Sequence, residues 1–394
     1  MAVTGVGLVT AGGMDAPSTW GHVLDGRPSA AIDPALTGLP PTLSCRVPGT
    51  PPVPPGPGSA QLDPFARLAL AATAEALAMA GLGPSTWDGT RVAIVTGCGI
   101  GGVNTYDGAA ARLAEGGPQD VSPYFHPSFL PNMAAAQLSI RFGTGGPALN
   151  VATACASGAS AVALAADLLT AGRCDIALAC GAEAAVTPLV TTGFARLGAL
   201  SSKGSRPFDR DRDGFVIAEG AGALVLERAV DARARGAVPL AVLRGHATTG
   251  DTHHLVAPLP DGTGIERALR DALADAGVDP ADVDHVNAHG TSTPANDRIE
   301  AAMIARVLPH GPSVTSAKGA LGHPLGAAGA VEAALTVLSI RDGVVPPIGG
   351  LTVPDPDLDV DLVVGEARKQ AVDIAVSDSF GFGGHNVVLV FARA

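Results

Sequence analysis

The chain has 394 residues, 47% of them hydrophobic and 16% charged, and carries a net charge of −12. A charged share this low leaves apolar side chains for large cores and excludes global disorder, and an acidic balance with no basic run excludes nucleic acid as a partner. Aromatics supply only 4%, so the cores are expected to consist of Ala, Val, Leu and Gly at close helix–sheet contacts.

Along the chain, short Val/Ile/Leu/Ala runs alternate with long Ala-rich stretches. Strands are predicted at VTGVGLVT, RVAIVTG (91–97), PALNVATA (147–154), DIALACGAE (175–183), GALVLERA (222–229), HVNAHG (285–290) and VVLVFARA (387–394). Helices are predicted over Phe65–Gly81, Gly158–Gly172, Gly264–Gly277 and Ala327–Ile340. This alternation is the pattern of a layered α/β protein with buried sheets. The 158–172 stretch carries one charge, Asp167, so its helix is apolar nearly all round and belongs between layers. A stretch from Pro40 to Pro57 holds eight prolines and reads as an irregular surface connection. Five cysteines without a CxxC pair argue against a disulfide framework or structural zinc. With neither a signal-peptide pattern at the N-terminus nor an apolar run of about 18 residues, the expectation is a soluble, cytoplasmic protein.

Several segments carry chemistry. In VATACASGAS (151–160) a strand delivers Cys155 to the start of the apolar helix. The positive end of a helix lowers a thiol's pKa, so Cys155 is expected to be rich in thiolate; the other four cysteines read as small buried hydrophobes. NAHGTSTPAND (287–297) places His289 after a strand, with Thr291 and Thr293 beyond it as hydrogen-bond partners for an amide-bearing ligand. SAKGALGHPLGAAGAVEA (316–333) sets Lys318 and His323 in a Gly-rich turn before another nearly uncharged helix. A thiol and two imidazoles suit acyl-thioester chemistry, in which the thiol attacks and neutral N–H donors hold the carbonyl oxygen.

Other segments read more plainly. SDSFGFGGHNVVLVF (377–391) is a Gly-rich turn before the last strand. GCGIGG (97–102) satisfies GxGxxG, but a polar, Gly-interrupted stretch follows and no strand ending in an acid arrives about 20 residues on. It reads as close backbone packing rather than a nucleotide loop. In RPFDRDRDGFVIAEGAG (206–222), most of Arg210, Asp211 and Arg212 reads as a salt-bridged surface loop. His253–His254 is too short a cluster for a metal, and no metal is expected.

Taken in order, TACASG, RPFDRDRDGF, AHGTSTPAND, KGALGHPLGAAGAVE and SFGFGGHN resemble the β-ketoacyl-acyl carrier protein synthases of the type II elongating kind, over essentially the whole chain. The resemblance implies a thiolase-like α/β fold of five layers, α-β-α-β-α, built from two similar halves. Residues 1–240 would carry the nucleophile and 241–394 the two histidines. It implies a decarboxylative Claisen condensation. Cys155 accepts an acyl chain, and His289 and His323 bind the malonyl thioester carbonyl and promote loss of CO2. Lys318 stands behind them with Glu332, and Glu300 gives structural support. The backbone N–H groups of Cys155 and Phe382 form an oxyanion hole, with Phe382 also a gate. Thr291 and Thr293 contact pantetheine, and Ile100 and Phe380 line the substrate site.

The implied partners are an acyl carrier protein, whose phosphopantetheine carries the substrates, and a second ketosynthase-like subunit. That subunit is either another copy or a chain-length factor; no bound cofactor, nucleic acid or membrane is implied. The chain also departs from the family pattern. ALSSKGSRPFD is shortened, Gln119-Asp120 stands where many members carry a basic pair, and the Pro-rich stretch replaces basic residues before Leu62. Val256, Asp378 and His385 replace the more usual Thr, Asn and Thr. Arg206 and Lys203 remain as carrier-docking candidates, and the expectation is specialised polyketide or fatty-acyl synthesis with a dedicated carrier. Housekeeping fatty-acid elongation and a non-condensing chain-length factor are the alternatives. A degradative thiolase is disfavoured because SFGFGGHN lacks a second cysteine. A modular polyketide synthase fragment is disfavoured because TACASG differs from TACSSS.

Overall fold

The computed structural model describes residues 1–394 apart from Ala60. Its main sheet contains β1 (Ala2–Thr10), β2 (Val92–Gly97), β3 (Ala148–Val151), β4 (Ile176–Ala184), β5 (Glu219–Glu227), β6 (Ala241–Gly250), β7 (His285–Asn287), β8 (Ser313–Thr315), β9 (Asp361–Leu362), β10 (Ile374–Gly381) and β11 (His385–Ala392). The spatial order is β9-β8-β7-β10-β11-β6-β1-β5-β4-β2-β3. Counted inward from β3, successive pairings are parallel, parallel, antiparallel and antiparallel as far as β1. Counted inward from β8, the same sequence of pairings leads to β6. The molecule is thus two similar sheets, and they meet where β1 pairs with β6 at only Ala2/Val242 and Val3/Ala241.

Five principal helices complete the layers. Helix α1 (Pro64–Ala80) covers the outer face of the first sheet, where Leu70, Ala72 and Ala76 meet Ile94, Leu178 and Val225. Asp63 caps its N-terminus by accepting the Phe65 N–H, Pro64 occupies the first turn, and left-handed Gly81 ends it. Helices α2 (Ser157–Thr170) and α5 (Ala328–Asp342) lie between the two sheets. There Val162, Leu169, Val331 and Leu338 share one core with Val6 and Leu226 of the first sheet and Leu389 and Phe391 of the second. Helices α3 (Thr263–Ala276) and α4 (Pro294–Val307) cover the outer face of the second sheet. The layering is α-β-α-β-α.

The central layer has no room for side chains where α2 and α5 approach. A Cβ on Gly158 would lie 2.6 Å from the Ala330 nitrogen, and one on Gly329 would lie 2.5 Å from that of Ala159. Backbone-to-backbone contact explains how a chain poor in aromatics fills its core.

Two sequence expectations change here. The 377–391 segment is a hairpin, because β10 pairs with β11 from Ile374/Ala392 to Gly381/His385, and the turn is confined to Phe382–Gly384. The RPFDRDRDGF segment is no surface loop at its centre. Arg212 is buried, its Nη1 2.6 Å from Asp355 and its Nε 3.7 Å from buried Asp297. Asp209, also buried, accepts from Thr352 and Val353. Only Arg210 and Asp211 stay exposed. No helix among the described residues is long and apolar enough to cross a membrane.

Candidate active site

Beyond β3 the chain turns sharply into α2, and Cys155 sits on that turn. Ala154 adopts φ +51, a left-handed conformation costly for a residue with a Cβ. The turn is held by Ala156 and Ser157, whose N–H groups donate to Thr153 and Ala154. The β10–β11 hairpin closes on it so tightly that a Cβ on Gly381 would lie 2.5 Å from the Thr153 oxygen. This approach aims the Phe382 N–H at the Cys155 sulfur.

His289 follows β7, and its backbone N–H, with that of Gly290, donates to the two carboxylate oxygens of Glu300 at 2.7 and 2.8 Å. Lys318, fully buried, reaches the His289 carbonyl at 2.6 Å, the His289 Nδ1 at 3.3 Å and the Glu332 carboxylate. An ammonium only donates, so Nδ1 of His289 is the acceptor and its ring proton lies on Nε2. His323 packs edge-on to His289 with ring centroids 5.6 Å apart, and Phe215 lies edge-on to His323 at 5.0 Å.

Cys155, His289 and His323 line one cavity of about 280 Å³, together with Thr291, Thr293, Asn296, Phe194, Phe215, Phe380, Phe382 and Val256. Cys155, His289 and His323 come from different loops, two of them from the second sheet's side of the seam. Ile100 is not on this wall: its N–H faces Glu183 and its side chain is 39% exposed. Lys203 and Arg206 also lie off the wall; Lys203 is exposed, 3.6 Å from Asp213, and the Arg206 N–H donates to Ser292.

The electrostatics overturn one expectation. Burial pushes the Cys155 thiol up to about 12, with Glu183 and Glu332 adding to the rise and Lys318 and the Phe382 N–H opposing it. Desolvation therefore outweighs the helix terminus, and the free enzyme holds a thiol rather than a thiolate. Burial, reinforced by Lys318, holds His289 and His323 well below the usual imidazole range. Both rings are neutral at pH 7. Burial lifts Glu332 and Glu300 to about 7.

Glu183 escaped the sequence reading. Its buried carboxylate accepts the N–H groups of Gly99, Ile100 and Gly101 and the Cys98 thiol. The GCGIGG loop is therefore a backbone anion cradle already filled by the protein's own carboxylate. A lone acid inside the apolar run IALACGAEA was the available signal.

Residues 1–232 match the family model described as beta-ketoacyl synthase, N-terminal domain, and residues 240–352 match the corresponding C-terminal domain. The 3-oxoacyl-[acyl-carrier-protein] synthase 2 of Rhizobium meliloti is 40% identical over 100% of this chain and 98% of its own length. The enzyme of the same name from a Synechocystis strain is 42% identical over 84% of this chain and 82% of its own. Among solved structures, the ishigamide ketosynthase/chain length factor superposes with a TM-score of 0.93 at 32% identity, covering 100% of this chain and 98% of that one. A type II polyketide ketosynthase solved with its acyl-carrier protein and a hexaketide gives 0.92 at 30% identity, with the same coverage.

Proposed function

The chain belongs to the β-ketoacyl synthase family and is a carbon–carbon bond-forming ketosynthase, and on that premise we propose that Cys155, His289 and His323 carry its condensation. The carrying observation is that these three side chains line one cavity, with the Phe382 N–H directed at the sulfur.

In the first half-reaction the Cys155 sulfur attacks the carbonyl carbon of an acyl-carrier thioester. The oxyanion rests on the N–H groups of Cys155 and Phe382. The C–S bond to the carrier breaks, and the carrier's thiol leaves with the proton that Cys155 gave up. In the second, a malonyl-carrier thioester binds with its carbonyl oxygen facing the His289 Nε2–H and the His323 ring. The neutral rings donate hydrogen bonds as CO2 departs and the electron pair moves onto that oxygen. The resulting enolate carbon attacks the acyl-Cys155 carbonyl. The C–S bond to Cys155 breaks, β-ketoacyl-carrier leaves, and the sulfur regains a proton from solvent. Thr291 and Thr293, whose hydroxyls lie 2.9 Å apart on the cavity wall, hold the pantetheine amides. Lys318 sets the His289 tautomer and is a positioning residue.

The acyl and malonyl groups arrive on a carrier's phosphopantetheine arm, in the cytoplasm. The pathway is specialised polyketide or fatty-acyl synthesis, supported by the altered carrier-facing positions Gln119 and Asp120 and by polyketide ketosynthases among the structural neighbours. The structure neighbour paired with a chain length factor supports a dimer with a second ketosynthase-like subunit.

The test is intact-mass analysis of the protein with acyl-carrier and malonyl-carrier thioesters, beside Cys155→Ala. An acyl adduct absent from the variant, followed by β-ketoacyl product, is expected. An adduct that persists in Cys155→Ala overturns the nucleophile assignment. Adduct without product, with every candidate partner subunit added, overturns the assignment of condensation to this site.

A further inference from the structure

The condensation steps leave the buried Glu183 carboxylate without a task. Its partners are backbone N–H groups and a thiol rather than a cation: Gly99 donates at 2.7 Å, Gly101 at 3.2 Å and the Cys98 thiol at 3.1 Å. A negative charge held only by fixed dipoles acts over a longer range than one neutralised in an ion pair. Lys318 and Glu332, the other charged side chains that bear on Cys155, form a pair with each other. His289 and His323 are neutral. Among the described residues, Glu183 is therefore the unbalanced charge acting on the sulfur.

The same carboxylate stands where three segments of the site meet. It projects from β4, and the 98–101 loop wraps its oxygens. A Cβ on Gly326, in the turn Leu325–Ala327 just beyond His323, would lie 2.6 Å from Oε2 of Glu183 and 2.3 Å from the Gly99 nitrogen. One on Gly99 would lie 3.6 Å from the carbonyl oxygen of Ala154, the left-handed residue that precedes Cys155. Through Gly99, one carboxylate spans from the turn that carries Cys155 to the turn that follows His323.

We infer that Glu183 is a positioning residue for the condensation, its carboxylate bracing the Cys155 turn against the His323 turn and its negative charge restraining ionisation of the free thiol. The inference rests on the ketosynthase reading. A buried anion disfavours a second negative charge nearby, so the idle enzyme keeps its sulfur protonated and unreactive toward stray electrophiles. Once acylated, the sulfur carries no charge for Glu183 to oppose.

The test uses two variants of the full chain. Glu183→Gln keeps the length and removes the charge: its amide oxygen takes the Gly99 N–H, and its NH2 donates to the Cys98 sulfur. Glu183→Asp keeps the charge and withdraws it from the loop. Iodoacetamide labelling at pH 8, mapped to Cys155, is expected to rise roughly tenfold in Glu183→Gln and to stay at the wild-type rate in Glu183→Asp. Condensation kcat is expected to fall roughly 10- to 100-fold in Glu183→Asp, as for a misplacement of about an ångström, with the carrier KM unchanged, and to fall less in Glu183→Gln. Labelling that does not rise in Glu183→Gln overturns the role of the charge, and an equal rise in both variants reports a loosened turn and overturns it too. A wild-type kcat in Glu183→Asp overturns the bracing. If wild type gives no product with any acyl and malonyl donor, the ketosynthase reading fails, while the labelling comparison still decides whether the charge restrains the thiol.

Discussion

Replacing Lys318 by Met removes a fully buried cation while keeping the length of the side chain, and the effect is expected to depend on pH in a defined direction. Burial already lifts the Glu332 carboxyl to about 7, and Lys318 is what opposes that rise. A carboxyl whose folded value lies above its unfolded one stabilises most below the unfolded value, and that contribution is lost as pH rises through the folded value. In wild type the loss is complete soon after pH 7. Without Lys318 the carboxyl stays protonated to higher pH, and each extra unit costs between about 1 and 2 kcal/mol.

At pH 6 the variant leaves a neutral acid with one missing partner, a deficit of about 1–3 kcal/mol. At pH 8.5 the buried carboxyl must either hold its proton against the solvent or ionise without its cation, a deficit of about 3–5 kcal/mol. Urea denaturation at the two pH values measures the difference. The same variant frees Nδ1 of His289, so malonyl decarboxylation falls about 100- to 1,000-fold, as for a lost oxyanion donor, while acyl transfer to Cys155 persists. Equal deficits at both pH values, or wild-type decarboxylation, would refute this reasoning.

Three further outcomes follow from the geometry. Because burial holds the Cys155 thiol at about 12, iodoacetamide labelling of the free enzyme is expected to rise by about tenfold per pH unit from 7 to 10. Peptide mapping should place the label on Cys155 alone, since the other four cysteines are at most 1% exposed, and a plateau below pH 9 contradicts the burial argument. Gly158→Ala forces a methyl group against the Ala330 backbone and is expected to cost about 1–3 kcal/mol or more; a denaturation midpoint equal to wild type contradicts backbone-to-backbone packing. Arg212→Ala strips the cation from Asp355 and buried Asp297 and is expected to cost about 3–5 kcal/mol, read in the same assay, with no effect on labelling of Cys155 in the folded fraction.

What the sequence shows and what it hides divides along physical lines. The helices over 64–80 and 157–170 were legible because continuous apolar runs end at Gly, and their predicted ends lie within two residues of those observed. The strand over 374–381 was not, since Ser377, Asp378 and Ser379 are poor strand formers whose pairing comes from neighbours distant in sequence. Arg212 looks like an ordinary surface charge until the fold wraps Asp297 and Asp355 around it. Local context singles out Cys155, His289 and His323, which the fold brings to one cavity, whereas the high value at Cys155 arises from desolvation by surrounding layers, which no local window contains.

The narrow seam between the two sheets has a consequence for how the molecule fails. Cys155 belongs to one side and His289 and His323 to the other, and only two residue pairs stitch the sheets edge to edge. Each side retains a separate outer core of its own. A slip of an ångström across the seam misaligns the Cys155 sulfur and the two imidazoles while leaving both sets of strands intact. Turnover is thus a gauge of how the halves register, and on gentle heating or in dilute denaturant it fades before the circular dichroism signal does.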